Sequence, residues 1–516
     1  MRLTKILRGL LAGGVTLVVL CGCVVNPVTG KNEISLIPAA QELAIGEQNY
    51  LPMQQSQGGV QALDPALNAY VSDIGQKIAA VSDRDLPYEF VVLNNSVPNA
   101  WALPGGKIAI NRGLLTEMRS EAELASVLGH EVIHAAAKHS ARQMQRGMLL
   151  QALVIGTAVV TNDSDYGALA AGAANIGAQL LTQAYSREAE READAYGIDY
   201  MVRAGYNPQG AVDLQRTFLR LAQEAGRSQG PSLTASHPPS SERLALNEAK
   251  AQSLGKNGFT GNDTFAAAMR TLSAAQPAFD AYDAGRKALA NGDARTAATK
   301  AREAIRREPR EASFYGLLGD AAVVDKKLGD AVTHYSKALE RDRNFFYYFL
   351  QRGLAREQLG YLDVAESDLV TSLQLFETAP AYNGLGKIAE RQGNTERAKE
   401  LYARAGNSDT QAGNAARSAL LRLDLPDNPS RYLRARTALD SQGQLLIAVD
   451  NPNAQTIGSV VVRIRYIDSE GRTRQIERRV PSAIAAGTSR TLATGLGPFA
   501  NTNQYAVSVV GARLTN

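Results

Sequence analysis

The stretch Ser120-Glu-Ala-Glu-Leu-Ala-Ser-Val-Leu-Gly-His130-Glu131-Val-Ile-His134 decides how the rest of the chain is read. Ser120 followed by Glu123 is a capping box, in which side chains satisfy backbone N–H groups left unpaired in a first helical turn. A helix is predicted from there through about Arg146. Residues four apart on a helix differ by only about 40° in direction, so His130 and His134 point the same way and can hold one metal ion. Glu131, about 100° away, can face a water beside that metal. The spacing is the HExxH pattern of zinc sites.

The 516 residues predict several domains with ample core. Composition then narrows the ligand set. The chain has 2 Cys, Cys21 and Cys23, and 5 His. No thiol follows residue 23, which excludes a disulfide scaffold, a cysteine zinc finger, an iron–sulfur protein and a cysteine nucleophile. Two histidines need a third protein ligand, and the candidate segment is the carboxylate-dense Tyr185-Ser-Arg-Glu-Ala-Glu-Arg-Glu-Ala-Asp194. His139, nine residues after His130, is predicted on the far side of the same helix and is read as structural. His334 is read as surface or packing. With 55 basic and 51 acidic residues and no basic block, nucleic acid is not an expected partner.

HExxH together with the Ser-Arg-x-x-Glu-x-x-x-Asp pattern at 186–194 resembles the HtpX and CAAX-prenyl-protease family of gluzincin metallopeptidases. That resemblance implies an α+β zincin-type domain, mostly helical with a small sheet. It also implies Zn²⁺ held by His130, His134 and Glu190, with Asp194 behind a ligand histidine, Glu131 as general base, and endopeptidase chemistry on a polypeptide. Asn99-Ala-Trp-Ala-Leu-Pro-Gly-Gly106 and Lys107-Ile-Ala-Ile-Asn111 resemble the strand bordering the family's cleft, where an exposed edge would hold an extended substrate. Trp101 is a candidate for lining that cleft or for the core. Ser236-His237-Pro-Pro with Arg243 resembles the family's Ser/Thr-His-Pro stretch. In its BepA-type periplasmic members the histidine is a removable fourth ligand that keeps the enzyme latent, a role carried to His237; the alternative is a loop histidine ordered by prolines. Arg243 is a candidate for binding a substrate carboxylate or the oxyanion, or for a structural ion pair.

Outward from this core, Arg2, Lys5 and Arg8 precede an apolar run over 9–20 that is too short to span a bilayer, the pattern of a secretory signal. Leu20-Cys-Gly-Cys23 resembles the bacterial lipobox, which implies a signal peptide at 1–22 and acylation of Cys23. Val24, where enterobacterial inner-membrane lipoproteins carry Asp, points to the periplasmic face of the outer membrane. Residues 147–181, rich in Ala, Gly, Leu and Val, read as a helical hairpin.

Beyond residue 276 a period appears. Gly285, Gly319, Gly353 and Gly386 recur at about 34 residues, each followed twelve residues on by Ala297, Ala331, Ala365 or Ala398. Seven further on stand Ala304, Ala338, Ser372 and Ala405. This resembles the tetratricopeptide repeat and implies an α-solenoid with a concave groove. After residue 429, apolar and alternating runs such as Val460–Ile467 predict an all-β sandwich.

The expected organisation is multidomain: signal peptide 1–22, zinc metallopeptidase domain 23–260, repeat domain 276–412 and β-sandwich 430–516. The combination of protease and repeats resembles the BepA-type pattern. It implies unfolded or misassembled outer-membrane proteins as substrates, with the repeats docking on assembly machinery. The competing reading is a chaperone or scaffold with latent proteolysis.

Overall fold

The computed structural model describes residues 23–34, 36–145, 184–225 and 237–515. The predicted signal segment, the hairpin at 147–181 and Ser236 lie outside them. Two compact units divide between Tyr348 and Phe349. Among the described residues no helix is long and apolar enough to cross a membrane.

The first unit opens with a short antiparallel pair, β1 (Cys23–Val25) and β2 (Asn32–Ile34), then α1 (Ala39–Ser56) and α2 (Pro65–Ala79). Asp64 caps α2 by accepting the Leu67 N–H, with Pro65 at the first helical position. Leu67, Val71, Ile74 and Ile78 form its buried stripe. They cover a three-stranded sheet of β3 (Glu89–Leu93), β4 (Ala100–Leu103) and β5 (Lys107–Asn111), ordered β3-β5-β4. β5 runs parallel to β3 and antiparallel to β4. The Pro104-Gly105-Gly106 reversal uses φ of 79° and 84° at its glycines, the left-handed region a side chain disfavours.

After a turn of helix, α3 (Arg112–Leu115), comes α4 (Glu121–Ala136). Ser120 accepts the Glu123 N–H as predicted, while the Glu123 carboxylate takes the Arg119 N–H. The helix does not run on to Arg146. It stops at Ala136, Lys138 turns back at φ 59°, and helix resumes at His139. Then follow α5 (Arg187–Arg203), α6 (Gln209–Ala225) and α7 (Ser241–Leu254).

α8 (Asn262–Ala268) and α9 (Arg270–Ala290) continue this core instead of leaving it. Phe265, Leu272, Phe279 and Phe314 belong to the same buried cluster as Leu124, Val132 and Ile198. Buried Arg112 stacks 3.6 Å from the Phe279 ring centre and donates to Asn94. The paired helices of the repeats are α9 with α10 (Ala294–Arg307), then α11 (Ala312–Val324) with α12 (Leu328–Leu339). They continue as α13 (Phe346–Leu359) with α14 (Leu362–Leu375), and α15 (Ala379–Arg391) with α16 (Thr395–Gly406). The period has a packing cause. A Cβ on Gly319 would lie 2.5 Å from the Tyr335 ring, and one on Gly386 would lie 2.6 Å from Tyr402. The four alanines of the first set and Ala304, Ala338, Ser372 and Ala405 are fully buried.

In the second unit α17 (Gln411–Asp424) leads to two antiparallel three-stranded sheets. One is ordered β10-β7-β6, from β6 (Arg434–Leu439), β7 (Leu445–Asp450) and β10 (Ser489–Ala493). The other is ordered β11-β8-β9, from β8 (Ile457–Ile467), β9 (Thr473–Arg479) and β11 (Tyr505–Leu514). They share one core of Leu445, Ile447, Val449, Val460, Val462 and Ile464, whose alternation made these strands legible.

Candidate metal centre

The centre is built where α4 and α5 cross at two glycines. A Cβ on Gly129 would come 2.9 Å from the Gly197 carbonyl oxygen, and one on Gly197 would come 3.0 Å from the His130 nitrogen. Without side chains there, the backbones approach closely enough for short carboxylates on α5 to reach the imidazoles of α4. Ser186 opens α5 by accepting the Ala189 N–H, and its first turns carry Glu190 and Asp194 inward.

His130 Nε2 and His134 Nε2 stand 3.0 Å apart. Glu190 places Oε2 3.6 Å from His130 Nε2 and Oε1 3.4 Å from His134 Nε2. From the segment before α7, His237 brings Nδ1 to 2.9 Å from Glu190 and 3.3 Å from His130. One ligand atom from each of the four residues lies within 4.8 Å of the others. Asp194 Oδ1 is 3.1 Å from His130 Nδ1, which leaves the Nε2 lone pair for the cluster.

Burial raises the Glu131 carboxyl and drives the His134 imidazole well below its usual range. Burial would also raise Glu190, but His237 and the other imidazoles outweigh it and hold this carboxyl well below the usual value. His237 moves the other way: burial lowers it, and Glu190 and Glu131 more than reverse that. The donor set fits a divalent metal. Three imidazoles and one carboxylate converge, and Glu131 Oε2 beside them is buried without a hydrogen-bond partner.

Comparison with known proteins agrees with this geometry. Residues 65–250 match Peptidase family M48, and residues 282–344 and 379–405 match tetratricopeptide repeats. Metalloprotease YcaL of Escherichia coli is 34% identical over 184 residues, 33% of this chain and 68% of that protein. The chain belongs to peptidase family M48. The Beta-barrel assembly-enhancing protease of Yersinia pestis is 29% identical over 227 residues, 42% of this chain and 46% of that protein. Mitochondrial metalloendopeptidase OMA1 of Schizosaccharomyces pombe is 33% identical over 176 residues, 34% of this chain and 50% of that protein. The chain spans about half the length of the first curated relatives it matches.

Within this M48 domain the predicted residues His130, Glu131, His134, Glu190, Asp194, His237 and Arg243 are brought together. Arg243 settles into the ion-pair alternative. It grips Asp194 through Nε (2.6 Å) and Nη2 (2.7 Å), places Nη1 2.7 Å from Glu190, and donates to the Pro238 carbonyl. Burial alone would raise Asp194, and Arg243 outweighs it and lowers this carboxyl. The guanidinium thus contacts two carboxylates and a backbone carbonyl. Trp101 takes the core alternative, packed edge-on to Tyr50 with centroids 6.2 Å apart among Met53, Leu93 and Leu103.

Two expectations are corrected. β4 is the sheet edge, but Ala100–Leu103 are all buried and the Ala102 carbonyl is taken by Ser140 Oγ, so the edge is covered instead of exposed. His139 is not on the far side of a continuous helix. The break at Lys138 returns it to within 3.1 Å of His134. His334 is half-buried within its repeat.

Sequence reasoning missed three participants. Tyr185 stacks on His134 with centroids 3.9 Å apart, Gln215 donates to Asp194, and the Gly129–Gly197 crossing permits the whole arrangement. Only the glycines left a trace, as small residues inside helical patterns.

Proposed function

We propose that the chain is a zinc endopeptidase of the cell envelope, held on the periplasmic face of the outer membrane by lipid on Cys23. Its proposed substrates are unfolded or misassembled outer-membrane proteins. The reading rests on one observation: four metal-type donors within 4.8 Å of one another beside a buried Glu131 oxygen without a partner. His130, His134 and Glu190 would hold the zinc. Bound there, zinc supplies Lewis acidity to the scissile carbonyl and to the attacking water. Glu131, its carboxyl raised by burial, takes the water's proton and passes it to the leaving amine. Asp194 orients His130, and Arg243 keeps Asp194 and Glu190 charged in a buried site. Beside Glu131 a small cavity of about 20 Å³, lined by Val127, Ala193, Ile198, Leu214 and Phe218 together with His130 and His237, has room for a single water.

His237 is the proposed latch. Its contacts with Glu190 and His130 support this role, in which substrate entry requires its withdrawal and basal activity is low. This favours, as a second reading, a scaffold whose proteolysis is usually latent. We assign residues 23–260 to catalysis and 276–412 to partner recruitment, with assembly machinery as the partner and 430–516 as an additional module. The test compares the zinc-loaded protein with Glu131→Gln on an unfolded outer-membrane protein. Cleavage by the wild type alone is expected, and equal substrate loss in both samples would sink the protease reading. His237→Ala is expected to raise cleavage; an unchanged rate would remove the latch.

A further inference from the structure

His139 lies outside the four-residue cluster, yet the chain is bent to bring it there. Five residues after His134 on an unbroken helix, its side chain would point about 140° away. Instead α4 ends at Ala136 and Lys138 adopts φ 59°, a left-handed conformation that a residue with a side chain holds only when its surroundings demand it. The reversal sets the His139 ring edge-on to His134, centroids 5.0 Å apart, with Nδ1 facing Nδ1 at 3.1 Å. His139 is 2% exposed. Its other nitrogen, Nε2, is 3.2 Å from Glu192 Oε2, and Glu192 is in turn held by Lys31 at 2.7 Å and flanked by Arg142 at 3.7 Å.

With both imidazoles neutral, one hydrogen accounting along this chain leaves His134 Nε2 free for a metal. The Glu192 carboxylate, paired with an ammonium and a guanidinium, only accepts, so His139 carries its hydrogen on Nε2 and presents a lone pair at Nδ1. The hydrogen between the two imidazoles then belongs to His134 Nδ1. That leaves His134 Nε2 bare, pointing at Glu190 and His130. His130 reaches the same state by a shorter route, its Nδ1 hydrogen going directly to Asp194. Each histidine of the HExxH pair therefore has its own carboxylate, one in direct contact and one through a second imidazole.

We propose that His139, backed by Glu192, is a positioning residue that fixes the Nδ1–H tautomer of His134 and so presents Nε2 to the metal. The inference rests on the reading above that His134 is a ligand. Ligand histidines are commonly oriented by a partner at their other nitrogen, and losing such a partner costs roughly 10- to 100-fold in metal affinity.

The test is zinc affinity by chelator competition on the full chain, alongside the melting temperature of the metal-free protein. His139→Phe keeps the ring volume but removes the acceptor, and a 10- to 100-fold weaker zinc affinity is expected. His139→Gln restores an acceptor and is expected to recover most of the loss, whereas a merely structural role would be read in the melting temperature alone. Glu192→Gln frees the His139 tautomer and should weaken zinc about threefold or more, which keeps the test available if His139→Phe does not fold. Wild-type affinity in His139→Phe or in Glu192→Gln, or equal damage by Phe and Gln at 139, would overturn the proposal. Failure of the underlying reading looks different: the wild type itself would bind no zinc at the cluster.

Discussion

Two carboxylates buried within the first unit, Asp194 and Asp320, have opposite fates. Asp194 is met by a guanidinium, an imidazole and an amide, and its carboxyl is lowered despite burial. Asp320, between repeat helices, accepts the hydroxyls of Tyr335 (2.7 Å) and Tyr347 (2.8 Å), with the nearest Arg286 nitrogen 3.7 Å away. Burial wins there and raises its carboxyl. Depth alone therefore does not decide whether a buried carboxyl is lowered or raised. What separates the two is whether the surroundings include full charges at hydrogen-bond distance, which keep a group ionised at the cost of dehydrating several ions together.

The largest break in this contrast is Arg243→Gln. It leaves Glu190 and Asp194 buried with their main cation gone, and losing one partner of a buried ion pair costs about 3–5 kcal/mol. Asp194 has a depressed folded pKa, so the stability it contributes is present above about pH 4 and lost as pH falls through the folded value. In Arg243→Gln that acid-side loss should shrink along with overall stability. Denaturant unfolding at pH 7 and at about pH 3 measures both, and a loss under about 1 kcal/mol at pH 7 would show that the imidazoles alone support the pair.

A smaller effect sharpens the comparison by using the same device in both regions. Gly197 and Gly319 each admit a close neighbour. Gly197→Val forces α5 away from α4, an overpacking cost of about 1–3 kcal/mol, and should weaken zinc in the same step because Glu190 and Asp194 move with the helix. Gly319→Val should cost a similar amount by pushing on Tyr335 while leaving zinc affinity unchanged. Zinc titration of both variants separates them. Equal zinc binding in Gly197→Val and the wild type would mean that the crossing does not set the ligand geometry.

These pairs also show what was legible in the sequence. HExxH, the Glu190–Asp194 spacing, the repeat period and the alternating strands are local signals, since each depends on residues a few positions apart on one element. The Gly129–Gly197 crossing joins residues 68 apart, and the local trace of each glycine, a small residue inside a helical pattern, does not pair the two. Tyr185 and Gln215 act by lying against His134 and Asp194 from other elements. The position of His139 depends on where the helix ends, and nothing in Ala-Ala-Ala-Lys138 announces the left-handed turn after Ala136. The continuity of the peptidase core into Phe279 and Phe314 was hidden for a similar reason: the change of pattern near residue 276 marks the onset of repeats, but the first repeat helices still bury their apolar faces on the preceding domain.

The smallest expected effect bears most directly on the comparison. Asp320 has a raised folded pKa, so the native state holds its proton more tightly than the unfolded chain and its contribution falls as pH rises from about 4 through the folded value. Asp320→Asn removes that fall and still offers one oxygen to the Tyr335 and Tyr347 hydroxyls. It should be as stable as the wild type at pH 4.5 and equal or up to about 1 kcal/mol more stable at pH 7.5. Denaturant unfolding at the two pH values is sufficient. A loss exceeding 1 kcal/mol at pH 7.5 would mean that Asp320 is ionised and paired with Arg286, a second charged site like that around Asp194. A gain at the higher pH alone would confirm that burial among the repeats raises this carboxyl, as expected where no full charge lies at hydrogen-bond distance.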